Sequence, residues 1–254
     1  MGLDVYVMPL WRFKAGEFTS PIEATLGVKP ITIAPGQRPK ERLAPWYLRL
    51  LARIGVIELV PVSPEASPED RRALAVQQVQ SLKTRVTEIT GTPVDWPDDG
   101  KVYYSEQFHD SGILKAFAAW CDHREELPDF LSTPERHYYS HPVWRLPEPS
   151  VRRFPTISQH SLFAGYLLPV EFAGIHLVEP FRSWGDREFF RDVASSHIML
   201  KETDELLSFM ETLSPPQEDE HDSSPVAVAR RYAEQLQEMC RLSIAHRLPV
   251  IFYG

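Results

Sequence analysis

Three short stretches of the chain bring together side chains able to move protons or bind metals. Cys121, Asp122 and His123 stand in direct succession, and a thiol beside an imidazole is the minimum for an activated nucleophile. On a helix, neighbouring side chains point about 100° apart, so three in succession cannot serve one site. Cys121 then reads as a packed apolar residue and Asp122 as a solvated one. His137 and His141, in H-Y-Y-S-H, have the i, i+4 spacing that aligns two imidazoles on one helix face. Pro142 biases His141 away from helical dihedrals, which breaks that alignment. Arg136, Tyr138, Tyr139 and Trp144 make the same stretch an aromatic contact surface, because Tyr, Trp and Arg contribute disproportionately to binding. Trp96, Asp98 and Asp99, followed by Tyr103 and Tyr104, form a second aromatic and acidic patch on a turn that leads into a strand; it reads first as a tryptophan packed over the core with two turn aspartates, and second as a contact surface.

His109 and Asp110, in F-H-D-S-G-I-L-K, resemble the core dipeptide of HD-type phosphohydrolases, in which His and Asp ligate a metal that activates water. That chemistry takes a further histidine upstream, and His109 is the first histidine of this chain. Asp110 therefore reads first as a helix cap. His109, Asp110, Asp122 and His123 are the catalytic candidates, and no metal and no cofactor are expected.

Glycine spacing removes the common nucleotide and hydrolase signatures. Among the 12 glycines no two lie closer than nine positions. A dinucleotide loop, a phosphate loop and a nucleophile elbow all need closer glycines, because backbone must approach phosphate or turn sharply without a Cβ. Two cysteines, Cys121 and Cys240, cannot supply the paired thiolates of a zinc finger or ribbon.

The net charge of −8 disfavours affinity built on neutralising nucleic-acid phosphates. The expected partner is accordingly a protein, with no nucleic acid and no membrane, and the sequence leaves the oligomeric state open. One stretch runs against the average: Arg38, Lys40, Arg42, Arg49 and Arg53 face a single Glu41, and read as a solvated helix face. No window approaches the roughly 20 apolar residues that span a bilayer. The opening M-G-L-D-V-Y-V-M-P-L lacks a basic leader and a cleavage site and reads as a first strand, so a cytoplasmic location is expected.

The elements that must position these residues alternate between strand and helix. Asp4–Leu10 reads as a core strand, Leu43–Ile54 as a helix and Val56–Val62 as a second strand. Ser67, Pro68 and Asp70 start a long helix with Ala75, Val79, Leu82, Val86 and Ile89 on its apolar face, stopped by Gly91. A strand near Lys101–Ser105 precedes a helix carrying Ile113, Phe117, Trp120 and Cys121 inward. The proline-rich residues 127–155 form an excursion rather than a linker, because Phe130, Tyr138, Tyr139, Val143 and Trp144 are too apolar for solvent. Leu162–Leu168 and Ile175–Val178 read as two strands around a turn, Asp186–Val193 as a short helix, and Ser196–Leu213 as a longer one. Residues 217–224, with Glu218, Asp219, Glu220 and Asp222, form an acidic connector. A long helix from Pro225, capped by Ser224, buries Val226, Ala229, Ala233, Leu236, Cys240 and Ile244, and Val250–Tyr253 ends the chain as a strand. The pattern predicts one α+β domain over residues 1–254, a mixed sheet flanked by helices, with α/β as the alternative.

The opening M-G-L-D-V-Y-V-M-P-L, the stretch Y-L-L-P-V-E-F from Tyr166 to Phe172, and V-A-S-S-H-I-M-L-K-E-T-D-E-L-L from Val193 to Leu207 together resemble a type of small bacterial cytosolic protein of unassigned function. The resemblance implies a bacterial protein and carries no catalytic residue. Acidic charge, aromatic-rich irregular segments and missing catalytic signatures point to a binding or regulatory protein, an immunity-type inhibitor of a protein partner. The alternative is a hydrolase with a non-standard His/Asp site.

Overall fold

The computed structural model describes residues 3–18, 67–108, 111–131, 140–146, 152–182, 188–213 and 224–253. The expected helix Leu43–Ile54, the strand Val56–Val62 and the basic stretch Arg38–Arg53 lie outside them, as do His109, Asp110, Arg136, His137, Tyr138, Tyr139 and residues 217–223 of the connector.

Six strands form one mixed sheet among the described residues. In chain order they are β1 (Leu3–Val7), β2 (Tyr104–Phe108), β3 (Ala164–Leu168), β4 (His176–Arg182), β5 (Glu188–Ser195) and β6 (Val250–Tyr253). Across the sheet the order is β2-β1-β6-β3-β5-β4. Only β3 and β5 run parallel; the other four pairings are antiparallel. The α+β expectation with a mixed sheet therefore holds.

Register assigns the two faces. Leu177, Asp192, Gly165, Phe252 and Val5 form one row across the sheet, and His176, Val193, Tyr166, Ile251 and Tyr6 form the next. Successive side chains on a strand alternate, so these rows point to opposite faces. Val5 and Phe252 join the larger core, against helices α3 (Ser111–His123), α4 (Pro155–Gln159), α5 (Ser196–Leu213) and α6 (Pro225–His246). Tyr6, Tyr166 and Ile251 join the smaller one, against α1 (Leu10–Lys14) and α2 (Pro68–Thr90).

The helices follow their sequence signals closely. Ser67 caps α2 through a complete capping box with Asp70, and Gly91 closes it in the left-handed region at φ 67. Ala75, Val79, Leu82 and Val86 are buried, whereas Ile89, in the last turn, is 41% exposed. Ser224 accepts from the Ala227 N–H at the start of α6, whose Val226, Ala229, Ala233, Leu236 and Cys240 are all buried. On α3, Ile113, Phe117, Trp120 and Cys121 point into the larger core.

Two expectations are corrected. In place of the helix expected over Asp186–Val193, Glu188–Ser195 is strand β5, held on one side by β3 and on the other by β4. Its charged Arg191 and Asp192 disguise an interior strand, and its aromatic pair Phe189-Phe190 suits a pleated surface. The strands on either side of the 169–174 turn do not pair with each other either, because β5 lies between them. In the proline-rich stretch, Pro142–Arg145 forms a short 3-10 helix, and Phe130, Val143 and Phe154 are buried in the larger core.

Candidate interaction surface

The catalytic candidates that are described do not converge. Asp122 Oδ2 accepts the backbone N–H groups of Arg152 at 2.5 Å and Arg153 at 3.0 Å, which pins the chain entering α4. The His123 imidazole instead places Nδ1 3.5 Å from Glu126 Oε2. Burial pushes the Cys121 thiol up to about 12, so it is protonated and unreactive at neutral pH. Cys240 is fully buried and its thiol is raised for the same reason. His141 is also structural: Nδ1 accepts the Val143 N–H at 3.1 Å and Nε2 lies 3.1 Å from the Pro128 carbonyl.

Of the aromatic and acidic patch, Trp96 and Asp98 are buried, as the packed reading has it, whereas Asp99 and Tyr103 are exposed. Burial removes Trp96 and Asp98 from any contact surface, for a clear reason. The Trp96 Nε1–H donates to Asp98 Oδ1 at 3.0 Å, and the Asp98 carboxylate accepts the Leu10 and Trp11 N–H groups at the start of α1. Burial raises the Asp98 pKa above the usual carboxylate range, against the pull of these hydrogen bonds. Lys83 lies across the indole, its Nζ 4.7 Å from the ring centroid, and donates to the Trp96 carbonyl. Trp144 is half-buried and packs against the larger core.

Two buried polar groupings escaped the sequence. Glu202, on α5, accepts the N–H groups of Thr156 at 3.0 and 2.9 Å and of Ile157 at 2.9 Å, capping α4 where Phe154 offers no side-chain cap. Asp192 accepts the Ser161 N–H at 2.6 Å and its hydroxyl at 2.8 Å, with His160 Nε2 3.6 Å away. Ser, His and Asp thus meet, but the hydroxyl is bonded to the carboxylate and the imidazole has no exposed surface. That order cannot activate serine, because the base must face the hydroxyl. No local pattern announces either grouping, since the partners are 31 to 46 positions apart. Among the described residues no group of three His, Cys, Asp or Glu side chains could hold a metal ion. No helix among them is long and apolar enough to cross a membrane.

What the structure does display is charge on the α5–α6 hairpin. The two helices run antiparallel, as shown by the contacts Ser196 to Ser243, at 2.8 Å, and Gln237 to Asp204. Glu202, Thr203, Leu206 and Met210 are buried, which turns Asp204, Glu205 and Glu211 of α5 outward; Glu234 and Glu238 of α6 are exposed as well. Arg241 lies 3.7 Å from Asp204, and Arg153 bridges to Glu205 at 2.7 Å. The charge continues along the chain. From Glu202 to Asp222 there are eight aspartates and glutamates and no lysine or arginine.

A family model described as "Putative DNA-mimic protein" matches residues 49–252. Those residues carry 31 aspartates and glutamates against 21 lysines and arginines, a net of −10, whereas residues 1–48 carry a net of +2. No curated protein and no solved structure matches the chain. The match overturns the partner expectation drawn from composition, in which nucleic acid played no part: the family is described by its relation to DNA, and the negative charge that set nucleic acid aside is the property the two polymers share. That description is of a protein-binding type of function. Matched over 204 of its 254 residues, the chain belongs to the putative DNA-mimic protein family.

Proposed function

We propose that the chain acts as a DNA mimic, placing carboxylates where a DNA-binding protein expects phosphates and thereby keeping that protein off DNA. The observation that carries the reading is the family match, which covers the part of the chain that holds all of its excess negative charge. Duplex DNA presents one negative charge per roughly 1.7 Å of axis, and proteins meet it with arrays of lysine and arginine. An acidic protein competes for such an array through complementary charge, with fast, salt-sensitive association. We assign the contact to the acidic run that begins at Glu202, including the outward carboxylates Asp204, Glu205 and Glu211, with Glu234 and Glu238 beside them. The inhibitor expected from the sequence thus becomes an inhibitor of DNA binding. The reading treats residues 1–254 as one domain, working in the cytoplasm alongside DNA-binding proteins.

The test is competition. The immobilised chain is exposed to bacterial extract at low salt, washed, and then eluted with a short linear duplex. Release by duplex of proteins that afterwards bind that duplex in a mobility-shift assay, and are displaced from it by the free chain, is the expected result. Retained proteins that duplex does not release, or that bind chain and duplex together, would overturn the reading.

A further inference from the structure

His160 ends α4 and lies fully buried between strands. Nδ1 accepts the Leu162 N–H at 3.0 Å, Nε2 faces the Tyr166 carbonyl at 3.4 Å and Asp192 Oδ1 at 3.6 Å, and the ring centroid is 5.5 Å from that of Phe252. Because Nδ1 is an acceptor, the single proton of the neutral ring sits on Nε2. Leu162, also buried, is held at φ 51, a left-handed conformation that a residue with a Cβ rarely adopts. The next contacts leave no slack. A Cβ on Gly165 would stand 2.1 Å from Asp192 Oδ1 and 3.2 Å from His160 Cε1.

A second proton on His160 has only Nδ1 to go to, where the Leu162 N–H already points. Two donors would then face each other, and a cation would sit away from water. Two charged groups act on the ring. Asp192, from β5, favours the cation, and Lys115, from α3, disfavours it. Phe252 from β6 and the Tyr166 carbonyl from β3 do not titrate. Burial outweighs the carboxylate and holds the imidazole below its ordinary range. The closed turn therefore accommodates the neutral ring, and an opened turn the charged one.

We propose that the turn Ser161–Phe163 is an acid-released latch, opening locally when His160 takes up its second proton. Opening frees Ser161 from Asp192 and loosens the start of β3, the strand that joins β2-β1-β6 to β5-β4. The sheet is thereby weakened at its middle, not at an edge. An opened imidazole titrates near its ordinary value of about 6.5, so below that pH the open population rises about tenfold per pH unit until the closed form itself protonates.

Native-state hydrogen exchange of the full chain between pH 7.5 and 5, corrected for the intrinsic pH dependence of exchange, tests this. The expected result is about tenfold loss of protection per pH unit below about 6.5 at Leu162 and the first residues of β3, starting from a protection lower than that of Val5–Val7 and Val250–Phe252. Protection at Leu162 that does not depend on pH would overturn the proposal. So would protection at Leu162 equal to that at β1 and β6 at every pH, which reports global unfolding. In His160→Gln the loss should disappear, and its persistence would assign the proton to another group such as Asp192.

Discussion

Asp98 Oδ1 lies 2.6 Å from the backbone nitrogen of Leu10, 88 positions away in the chain. Pro9 gives α1 no side-chain cap, so a carboxylate from another segment satisfies the first N–H groups of that helix. Asp98 stands at φ 53, a region that Asp and Asn tolerate better than other residues with a Cβ. Asp98→Ala removes three hydrogen bonds and adds strain, and is expected to destabilise by about 2 to 4 kcal/mol. Asp98→Asn, which keeps an oxygen acceptor and the backbone tolerance, should cost less than half of that. Urea unfolding checks this, with the exposed Asp99→Ala as the neighbour expected within about 0.5 kcal/mol of wild type. Equal midpoints for the two alanine variants would show that the bridge does not hold the fold.

Asp98 also shows where sequence reading stops. Helix signals are local: Ser67 with Asp70, Gly91, and Ser224 before Pro225 lie within a turn of the elements they start or stop, and these helices were legible. Asp98 reads locally as a turn aspartate beside a packed tryptophan, and only α1, folded back from the other end of the segment, makes it a cap. Strand β5 failed for the same reason. Its Arg191 and Asp192 look like a solvated helix face until Ser161, 31 positions earlier, arrives to occupy the carboxylate. The candidate surface was half legible. The connector announced itself by composition, but the outward turn of Asp204, Glu205 and Glu211 depends on Glu202 being drawn inward to cap α4.

Leu236 is fully buried at the middle of α6, in the larger core. Truncating it to alanine is expected to cost about 2 to 5 kcal/mol, from lost transfer energy and the cavity left behind. Gln237 is a poor control because it donates to Asp204; the exposed Glu238→Ala, two positions on, serves better and should shift the denaturation midpoint little. If Leu236→Ala unfolds with wild type, the α6 stripe is not part of the stabilising core.

Glu211, Glu234 and Glu238 are exposed on the hairpin proposed to take the place of DNA. Reversing all three to lysine changes the charge by six units with no buried group disturbed. The melting temperature should move by a few degrees at most, whereas displacement of duplex from a captured DNA-binding protein should weaken at least tenfold at low salt. The loss should shrink as salt is raised, since screened charges contribute less. Undiminished competition by the triple variant would move the mimicking surface elsewhere on the chain.

Glu202 predicts a pH dependence of unusual sign. Burial is the largest influence on its carboxyl and raises the pKa, ahead of the hydrogen bonds from Thr156 and Ile157 that lower it, and nearby Glu205 raises it further. A carboxyl raised on folding binds its proton more tightly in the folded chain than in the unfolded one. As pH falls through that raised value towards the ordinary carboxylate value of about 4.3, its contribution therefore shifts in favour of the folded state. His160 acts in the opposite sense: its lowered pKa makes the folded chain lose stability as pH drops below about 6.5. Glu202→Gln keeps an oxygen for the Thr156 and Ile157 N–H groups and has nothing to titrate, so subtracting its stability from that of wild type isolates the carboxyl while His160 cancels. That difference should move towards wild type on acidification from pH 8 to 4.5, measured by urea unfolding at each pH. A constant difference would mean that Glu202 titrates alike in the folded and unfolded chains, and a difference moving towards the variant would mean that the cap hydrogen bonds, not burial, govern its charge.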